Sequence, residues 1–240
     1  MAVNKGKFYS IGTGPGDPGL LTLKAVETLR ACQVIAAPDS GAAENVVRGI
    51  VRDHLGDQDI LLCEMPMTRD KDYLEACHRQ AAALIAARLD AGEDVGFLTL
   101  GDPTVYSTAL YVHQRLQRMG YDTEVIAGVP SFCAAAARLG VPLCEGGEAL
   151  HILPASYPGI EALVGPGRDQ EGEGRQGLEG SLVLLKSGKS AAKVKAMLRG
   201  RRAMVVERCG LPGEKVHADL STWTEDASYF SVLLVKGEEL

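Results

Sequence analysis

The stretch LGDPTVYST, residues 100–108, brings together a carboxylate, an aromatic ring and residues that bend the backbone. Gly101 has no side chain, so a small molecule could lie directly against its backbone. Asp102 could cap a helix whose first turn is Pro103 to Tyr106, or its loop could form a platform for a bound molecule. Tyr106 would add a flat face to that platform. The stretch GVPS repeats the arrangement, since Gly128 and Pro130 shape a turn and Ser131 offers a hydroxyl group and an N–H group.

A third loop, GTGPGDPG at residues 12–19, matches the dinucleotide-binding pattern G-x-G-x-x-G from Gly14 to Gly19, with Asp39 downstream. That pattern works by pointing backbone N–H groups at a pyrophosphate from the start of a helix. Pro15 and Pro18 each remove one donor, and Thr22 is the predicted N-cap of a helix that begins only after the loop. These features disfavour a dinucleotide site and favour either a connection without a bound molecule or a stiff wall for a small organic ligand.

Other chemical motifs are incomplete. The segment LKSGKS, residues 185–190, fails as a phosphate-binding loop because Val183 stands where glycine is required. Lys186 and Lys189 are then a carboxylate-facing pair or ordinary charges at a turn. Neither Ser107 nor Ser131 lies in the G-x-S-x-G pattern of hydrolases. The six cysteines form no C-x-x-C pair, so we expect buried free thiols and no metal site.

Composition narrows the class of protein. The chain has 240 residues, of which 46% are hydrophobic and 23% charged, and a formal net charge of −6. The negative charge disfavours nucleic acid and anionic membranes as partners. No apolar run reaches the roughly 20 residues of a membrane-spanning helix, and MAVNKGKF lacks the hydrophobic core of a signal peptide. We therefore expect a globular, cytoplasmic protein.

The first half alternates apolar runs with helical patterns. Five strand–helix steps predict a parallel sheet covered on both faces, with a helix from about Thr104 to Arg118 after the fourth strand. In such sheets the binding loops follow the carboxyl ends of the strands. The predicted strands lie in KFYSIG, VIAAP, ILLCEMP, DVGFLTL and DTEVIAG.

The pattern changes near residue 145, where at least five strands occur with only two or three helices. We predict two α/β domains, residues 1–144 with the parallel sheet and residues 145–240 with a mixed sheet. The glycine-rich, charged segment 165–180 is interpreted as a mobile surface loop, the alternative being a flap over substrate. A cleft between the domains is the expected ligand site.

Four motifs, in this order and spacing, resemble the tetrapyrrole methylases: IGTGPGDPGLLTLKA, LGDPTVYST, GVPSFCAAAARLGVPL and ERCGLPGE. The resemblance covers nearly the whole chain. The stretches TVYST and SFCAAAARLGVPL are most similar to the subgroup that methylates precorrin-2, or its cobalt complex, at C-20 in cobalamin synthesis. Lys186 departs from the apolar residue common in the uroporphyrinogen methylases, and segment 165–180 has no counterpart.

The resemblance implies a homodimer that uses S-adenosylmethionine as methyl donor, a tetrapyrrole as substrate and no bound metal or nucleotide. It implies that Pro15 walls the donor and substrate region, and that Lys186 and Cys209 contact the donor chiefly through the backbone. Asp102 is the candidate catalytic residue. The remaining implied donor contacts are Leu100, Gly101, Asp102, Val105, Tyr106, Ser131 and Phe132.

A sulfonium donor carries no phosphate, so a loop that has lost two N–H donors to proline is suited to it. For methyl transfer, the main requirement is that the sulfonium, the methyl group and the accepting ring carbon lie in line. Four alternatives stay open: another tetrapyrrole methylase such as uroporphyrinogen-III methyltransferase, a nicotinamide-dependent oxidoreductase, a non-catalytic binding module, and a branch of the family that methylates a protein. The sequence does not decide whether the tetrapyrrole carries cobalt.

Overall fold

The computed structural model describes residues 4–39, 42–164, 167–168, 174–175, 177–188, 191–198, 201–224 and 227–236. The chain divides into two compact units, Met1–Pro130 and Ser131–Leu240. Each unit is built on its own five-stranded sheet. None of the helices in the described ranges is both long and apolar enough to cross a membrane.

The sheet of the first unit is parallel throughout, as the sequence predicts. Its strands are β1 (Phe8–Gly12), β2 (Val34–Asp39), β3 (Asp59–Glu64), β4 (Val95–Thr99) and β5 (Thr123–Ile126). Their order is β3-β2-β4-β1-β5. Because β1 lies between β4 and β5, the loops that follow these three strands emerge side by side at one edge of the sheet.

Helices cover both faces of this sheet. They are α1 (Leu23–Ala31), α2 (Ala42–Val51), α3 (Lys71–Asp90) and α4 (Ala109–Arg118), with short 3-10 helices at Pro18–Leu20 and Arg52–His54. Phe8 and Phe97 pack with α3 and α4 in one apolar layer. Ile11 and Ile35 pack with α1 and α2 in the other. The alternation of adjacent strand residues between the two layers is the expected consequence of a sheet buried on both faces.

The predicted start of α4 is wrong. The sequence favours a helix from about Thr104, whereas α4 begins at Ala109 with Thr108 at the N-cap position. Two features keep residues 102–108 out of the helix. Asp102 accepts a hydrogen bond from the backbone N–H of Thr104 at 2.8 Å, which forms a turn, and Tyr106 has a left-handed backbone with a φ of 48°. Asp102 therefore caps a turn and not α4.

The second unit begins with α5 (Ser131–Leu139) and contains α6 (Ile160–Val164) and α7 (Ala191–Met197). Its main sheet consists of β6 (Leu150–Pro154), β9 (Ser181–Leu185), β10 (Ala203–Glu207), β11 (Lys215–His217) and β12 (Ser231–Val235), and β7 (Gly167–Arg168) and β8 (Gly174–Arg175) form a separate two-stranded ladder. The fully buried Trp223 packs in its apolar core. The strand order in the main sheet is β11-β10-β12-β9-β6. Among the described strands of this sheet only β6 and β9 pair in parallel, so the predicted mixed sheet is confirmed.

The division into units falls earlier than the predicted boundary at residues 144 and 145. Helix α5 packs on β10 and β12 and so belongs with the second sheet, although it directly follows the last strand of the first. Half of segment 165–180 lies outside the described residues. Its interpretation as a mobile loop therefore stays a prediction, and its described part includes the β7–β8 ladder.

Candidate functional site

Three glycines meet where β1, β4 and β5 end. A Cβ atom on Gly12 would lie 2.7 Å from the Cα of Gly128 and 2.8 Å from the carbonyl oxygen of Gly101. A Cβ on Gly128 would collide with that same oxygen and lie 2.9 Å from the Cα of Gly12. Contacts this close between backbones exclude every side chain. The three loops therefore form a single layer made of main chain.

The GTGPGDPG loop after β1 and the loop after β4, which contains Gly101, are also joined by paired hydrogen bonds. The N–H of Gly14 donates to the oxygen of Gly101 at 3.2 Å, and the N–H of Gly101 donates to the oxygen of Gly14 at 2.7 Å. Both residues have a positive φ, 73° for Gly14 and 74° for Gly101. This conformation favours glycine at each position.

The same geometry argues against a dinucleotide site. The N–H of Gly14 is bonded to Gly101, and the N–H of Gly19 is bonded to the side chain of Asp17 at 2.8 Å. Pro15 and Pro18 have no N–H. Helix α1 begins at Leu23, where Thr22 accepts from the N–H of Ala25 at 3.1 Å, so the predicted cap is confirmed and the helix starts beyond the glycines. Most of the donors that a pyrophosphate requires are thus absent or already bonded.

Asp102 joins the loop after β4 to the loop after β5. Its Oδ2 accepts a hydrogen bond from the N–H of Gly128 at 2.9 Å, and its Oδ1 accepts from the N–H of Thr104 at 2.8 Å and from the Thr104 hydroxyl. The side chain is only 8% exposed. Both carboxylate oxygens are therefore engaged with the protein, and the charge is stabilised by backbone donors.

The other predicted residues of the first unit surround this layer. Pro15 is buried, Leu100 and Val105 are half-buried, and Tyr106 is 51% exposed. The left-handed backbone of Tyr106 is unfavourable for a residue with a side chain. Such strain is found preferentially at functional sites. The structure thus brings Pro15, Gly101 and Asp102 together through the paired loops, with Leu100, Val105 and Tyr106 adjacent in the chain.

Ser131 and Phe132 form the start of α5 in the second unit. Phe132 is 8% exposed, and the Ser131 side chain is half-buried. The first turn of a helix offers unpaired N–H groups, as the sequence suggested for Ser131. The GVPS loop therefore ends in a helix, whereas the GTGPGDPG and GDPTVYS loops lead through turns first.

Lys186 and Cys209 lie at the same edge of the second sheet. Strands β9 and β10 both run antiparallel to β12, and their last residues, Leu185 and Glu207, pair with Val232 and Ser231 at its start. The turns after β9 and β10 therefore flank the start of β12 from its two sides. Cys209, which is 9% exposed, lies in the second of these turns.

Both turns have strained backbones. Lys186 has a φ of 60° and Arg208 a φ of 52°, and with Tyr106 they are the non-glycine residues of positive φ in the described ranges. Each of the three is a predicted donor contact or adjoins one. Partial burial lowers the pKa of the Lys186 amine, although the residue as a whole is exposed. Lys189, the second lysine of the segment LKSGKS, lies outside the described residues.

The turn after β10 is further held by Glu214. The N–H of Gly210 donates to its Oε2 at 2.7 Å, and Arg138 forms an ion pair with its Oε1. These donors, that of Gly210 first, lower the pKa of Glu214. A carboxylate in the GLPGE stretch thus closes its own loop and ties it to α5.

Sequence reasoning missed the roles of Gly12 and Gly128 as contact points. A signal was present, because three apolar strand runs end in the same way, in SIG, LTLG and VIAG. A glycine directly after neighbouring parallel strands predicts close approach of their loops. That signal can be interpreted only when β1 is known to lie between β4 and β5. This order depends on pairing between strands far apart in the sequence.

Residues 7–222 match the family described as Tetrapyrrole (Corrin/Porphyrin) Methylases. The match spans most of the chain, which therefore belongs to the tetrapyrrole methylase family. The chain is 34% identical over 240 residues to the cobalt-precorrin-2 C(20)-methyltransferase of Salmonella typhimurium, covering 96% of each protein. It is 31% identical over 251 residues to the precorrin-2 C(20)-methyltransferase of a Sinorhizobium species, covering 98% of this chain and 97% of that protein.

Among solved structures, the fold is similar to the uroporphyrin-III C-methyltransferase of Thermus thermophilus in complex with S-adenosylhomocysteine. That similarity has a TM-score of 0.66 at 26% identity and covers 97% of this chain and 98% of the other. The predicted fold class and the resemblance drawn from the motifs are confirmed.

Proposed function

We propose that this protein transfers a methyl group from S-adenosylmethionine to C-20 of precorrin-2, or of its cobalt complex, in cobalamin biosynthesis. The observation that carries the proposal is the similarity, over at least 96% of each chain, to two proteins named for this reaction. The two relatives differ in name by the presence of cobalt, and either form of the substrate fits the proposal.

Alternatives within and outside the family are less well supported. The uroporphyrin-III methyltransferase from Thermus thermophilus is 26% identical, below both C-20 relatives. A nicotinamide oxidoreductase would need the N–H groups of GTGPGDPG to be available to a pyrophosphate, and those of Gly14 and Gly19 are bonded within the protein. A test for methylated product distinguishes an enzyme from a binding module without turnover.

The proposed donor contacts are those predicted from the motifs: Pro15, Leu100, Gly101, Asp102, Val105, Tyr106, Ser131, Phe132, Lys186 and Cys209. Their settings support the assignment, because the loops are built from close main-chain contacts and from three residues of strained backbone. Backbone N–H and carbonyl groups recognise the polar groups of an amino acid and a nucleoside without requiring a phosphate. The sulfonium of the donor supplies the methyl group.

For the reaction itself we propose that the protein acts by positioning. Holding two reactants in line contributes up to about 7 to 11 kcal/mol in favourable cases. Asp102 would contribute by fixing the loops after β4 and β5, since its two oxygens accept from Thr104 and Gly128. A direct catalytic role for Asp102 stays a prediction. A homodimer and a cytoplasmic location complete the proposal.

The decisive experiment supplies the purified protein with S-adenosylmethionine and either precorrin-2 or cobalt-precorrin-2. We expect a product in which one methyl group has replaced a hydrogen, the proton being released, with the new carbon at C-20 in the nuclear magnetic resonance spectrum. Uroporphyrinogen III serves as the competing substrate. Methylation of uroporphyrinogen III alone would assign the protein to another branch of the family, and binding of S-adenosylhomocysteine without any product would indicate a binding module.

A further inference from the structure

A buried carboxylate at the end of β10 has no assigned role. Glu207 is 3% exposed, and it directly precedes the strained residue Arg208. Its Oε2 accepts a hydrogen bond from the N–H of Ser228 at 2.6 Å. Its Oε1 lies 3.0 Å from Nε2 of His217, on the neighbouring strand β11. A buried carboxylate is tolerated only with such partners, so Glu207 is committed to holding two other segments.

His217 is itself held in place. Its Nδ1 lies 3.0 Å from the hydroxyl oxygen of Thr222, and that hydroxyl lies 3.3 Å from the carbonyl oxygen of Asp219. With Nε2 donating to Glu207, the remaining ring nitrogen has a partner in Thr222. The imidazole thus connects the carboxylate to the loop that follows β11.

The segment fixed by Glu207 touches both strained turns. The carbonyl oxygen of Phe230 accepts from the N–H of Arg208 at 2.8 Å. A Cβ on Gly188 would collide with the carbonyl oxygen of Ser228, so the turn that contains Lys186 packs directly on the same segment. Within the segment, the Ser228 hydroxyl accepts from the N–H of Phe230 at 3.2 Å, and the Ser231 hydroxyl donates to the Ser228 carbonyl. Residues 228–230 therefore separate and support the turns at Lys186 and Arg208.

We propose that Glu207 and His217 are a positioning pair for binding of the methyl donor. His217 holds Glu207, and Glu207 fixes residues 228–230. This segment sets the left-handed backbones at Lys186 and Arg208 and hence the main-chain groups that face the donor. This inference rests on the proposed function. Neither side chain contacts the donor, so the pair acts on donor affinity through the two turns.

The test compares Glu207→Ala with Glu207→Gln by titration with S-adenosylhomocysteine. Glutamine keeps an oxygen for the N–H of Ser228, and its amide can donate to the His217 ring in the other tautomer. We expect Glu207→Ala to raise the Kd at least tenfold and Glu207→Gln to stay within threefold of the parent. In turnover, the KM for S-adenosylmethionine should rise in Glu207→Ala while kcat at saturating donor stays within twofold.

The matched control is Glu148→Ala, in the same unit. Glu148 accepts from the Ser181 hydroxyl at 2.7 Å and from Lys236 at 3.3 Å, at the opposite end of β9 from Lys186. We expect it to lower the Tm without changing the Kd more than threefold. Equal weakening of donor binding by Glu148→Ala and Glu207→Ala would overturn the proposal, because general loosening of the unit would explain both.

His217→Ala keeps the carboxylate and its bond to Ser228, and it should raise the Kd by at least threefold. It decides the matter if Glu207→Ala does not fold. Unchanged donor affinity in His217→Ala, or in a folded Glu207→Ala, contradicts the positioning role. A parent protein that does not bind S-adenosylhomocysteine contradicts the proposed function instead, so the two failures are distinguishable.

Discussion

At the scale of single residues, the main-chain layer at Gly12, Gly101 and Gly128 leaves no room for added side chains at positions 12 and 128. Gly128→Ala places a methyl group against the carbonyl oxygen of Gly101, which is backbone and cannot rotate away. We expect it to lower the free energy of unfolding by about 1 to 3 kcal/mol or more, as overpacking does. Denaturant unfolding followed by circular dichroism measures the change.

Gly49→Ala is the control for this substitution. Gly49 lies in α2, and a Cβ there meets no atom within 4 Å. The same change should raise stability by roughly 0.5 to 1 kcal/mol, because alanine favours the helix. Two destabilised variants, or two neutral ones, would contradict the contact geometry at Gly128.

Asp102→Asn tests whether this residue acts by holding loops. Asparagine has one acceptor oxygen, so it cannot serve the N–H groups of both Thr104 and Gly128. We expect a loss of about 1.5 to 3 kcal/mol in stability, the range for a hydrogen bond to a charged group. The Kd for S-adenosylhomocysteine should rise with it. A variant of full stability whose kcat alone falls would assign Asp102 a direct role in catalysis.

The positive φ of Gly101 also changes an expectation. From the sequence alone, Gly101→Val would block a bound molecule and leave folding intact. With a φ of 74° and paired hydrogen bonds to Gly14, a branched side chain at this position strains the loop itself. Such a conformation follows from pairing with a distant loop, which local sequence does not encode.

At the scale of elements, the sequence predicts what is periodic. The strands β1 to β5, the cap at Thr22 and the helix α5 were all readable from apolar runs and capping residues. The start of α4 was not, because Asp102 followed by Pro103 also fits the cap and first turn of a helix. In the structure Asp102 instead forms a local turn with Thr104 and a long-range hydrogen bond with Gly128, and the second of these contacts is not visible in the local sequence.

Helix α4 also makes the first unit sensitive to acid. His113 on α4 lies 3.0 Å from the Ser10 hydroxyl of β1, and burial lowers its pKa. The unfolded chain then binds a proton near pH 6.5 while the folded chain does not, so stability falls as pH drops below 6.5. The slope is at most about 1.4 kcal/mol per pH unit for one group.

His113→Gln removes this titration. We expect its stability to depend less on pH between 7 and 5 than that of the parent, as measured by urea unfolding at each pH. Burial also lowers the pKa of His78, so His78→Gln is a second variant of the same kind. Parallel stability curves for parent and His113→Gln would show that His113 titrates equally in both states.

At the scale of the whole molecule, the two sheets and their strand directions were predictable, and the division between the units was not. Helix α5 follows the fifth strand in the regular strand–helix rhythm, which favours the first unit. Its packing on β10 and β12 depends on strands more than 60 residues further along the chain. The pairing of Glu207 with His217 is likewise invisible until β10 and β11 are known to be neighbours.

Donor binding should be visible as stabilisation of the protein. S-adenosylhomocysteine at about 100 times its Kd adds roughly 2.7 kcal/mol to the free energy of unfolding if it binds only the folded state. Differential scanning fluorimetry with S-adenosylhomocysteine, and with NADPH as the control, measures the shift in Tm. Stabilisation by NADPH alone would favour the oxidoreductase.

The main-chain layer has a consequence for exchanging parts between relatives. Residues 12, 101 and 128 are far apart in the sequence, yet the backbone of Gly101 limits the residue size at positions 12 and 128, and these two positions limit each other. A graft that replaces one of these loops by a foreign loop with a larger residue at its contact point fails unless the facing loops change with it. The segments around these positions should therefore be transferred as a set, whereas the open position Gly147, where a Cβ meets no atom within 4 Å, is free to vary on its own.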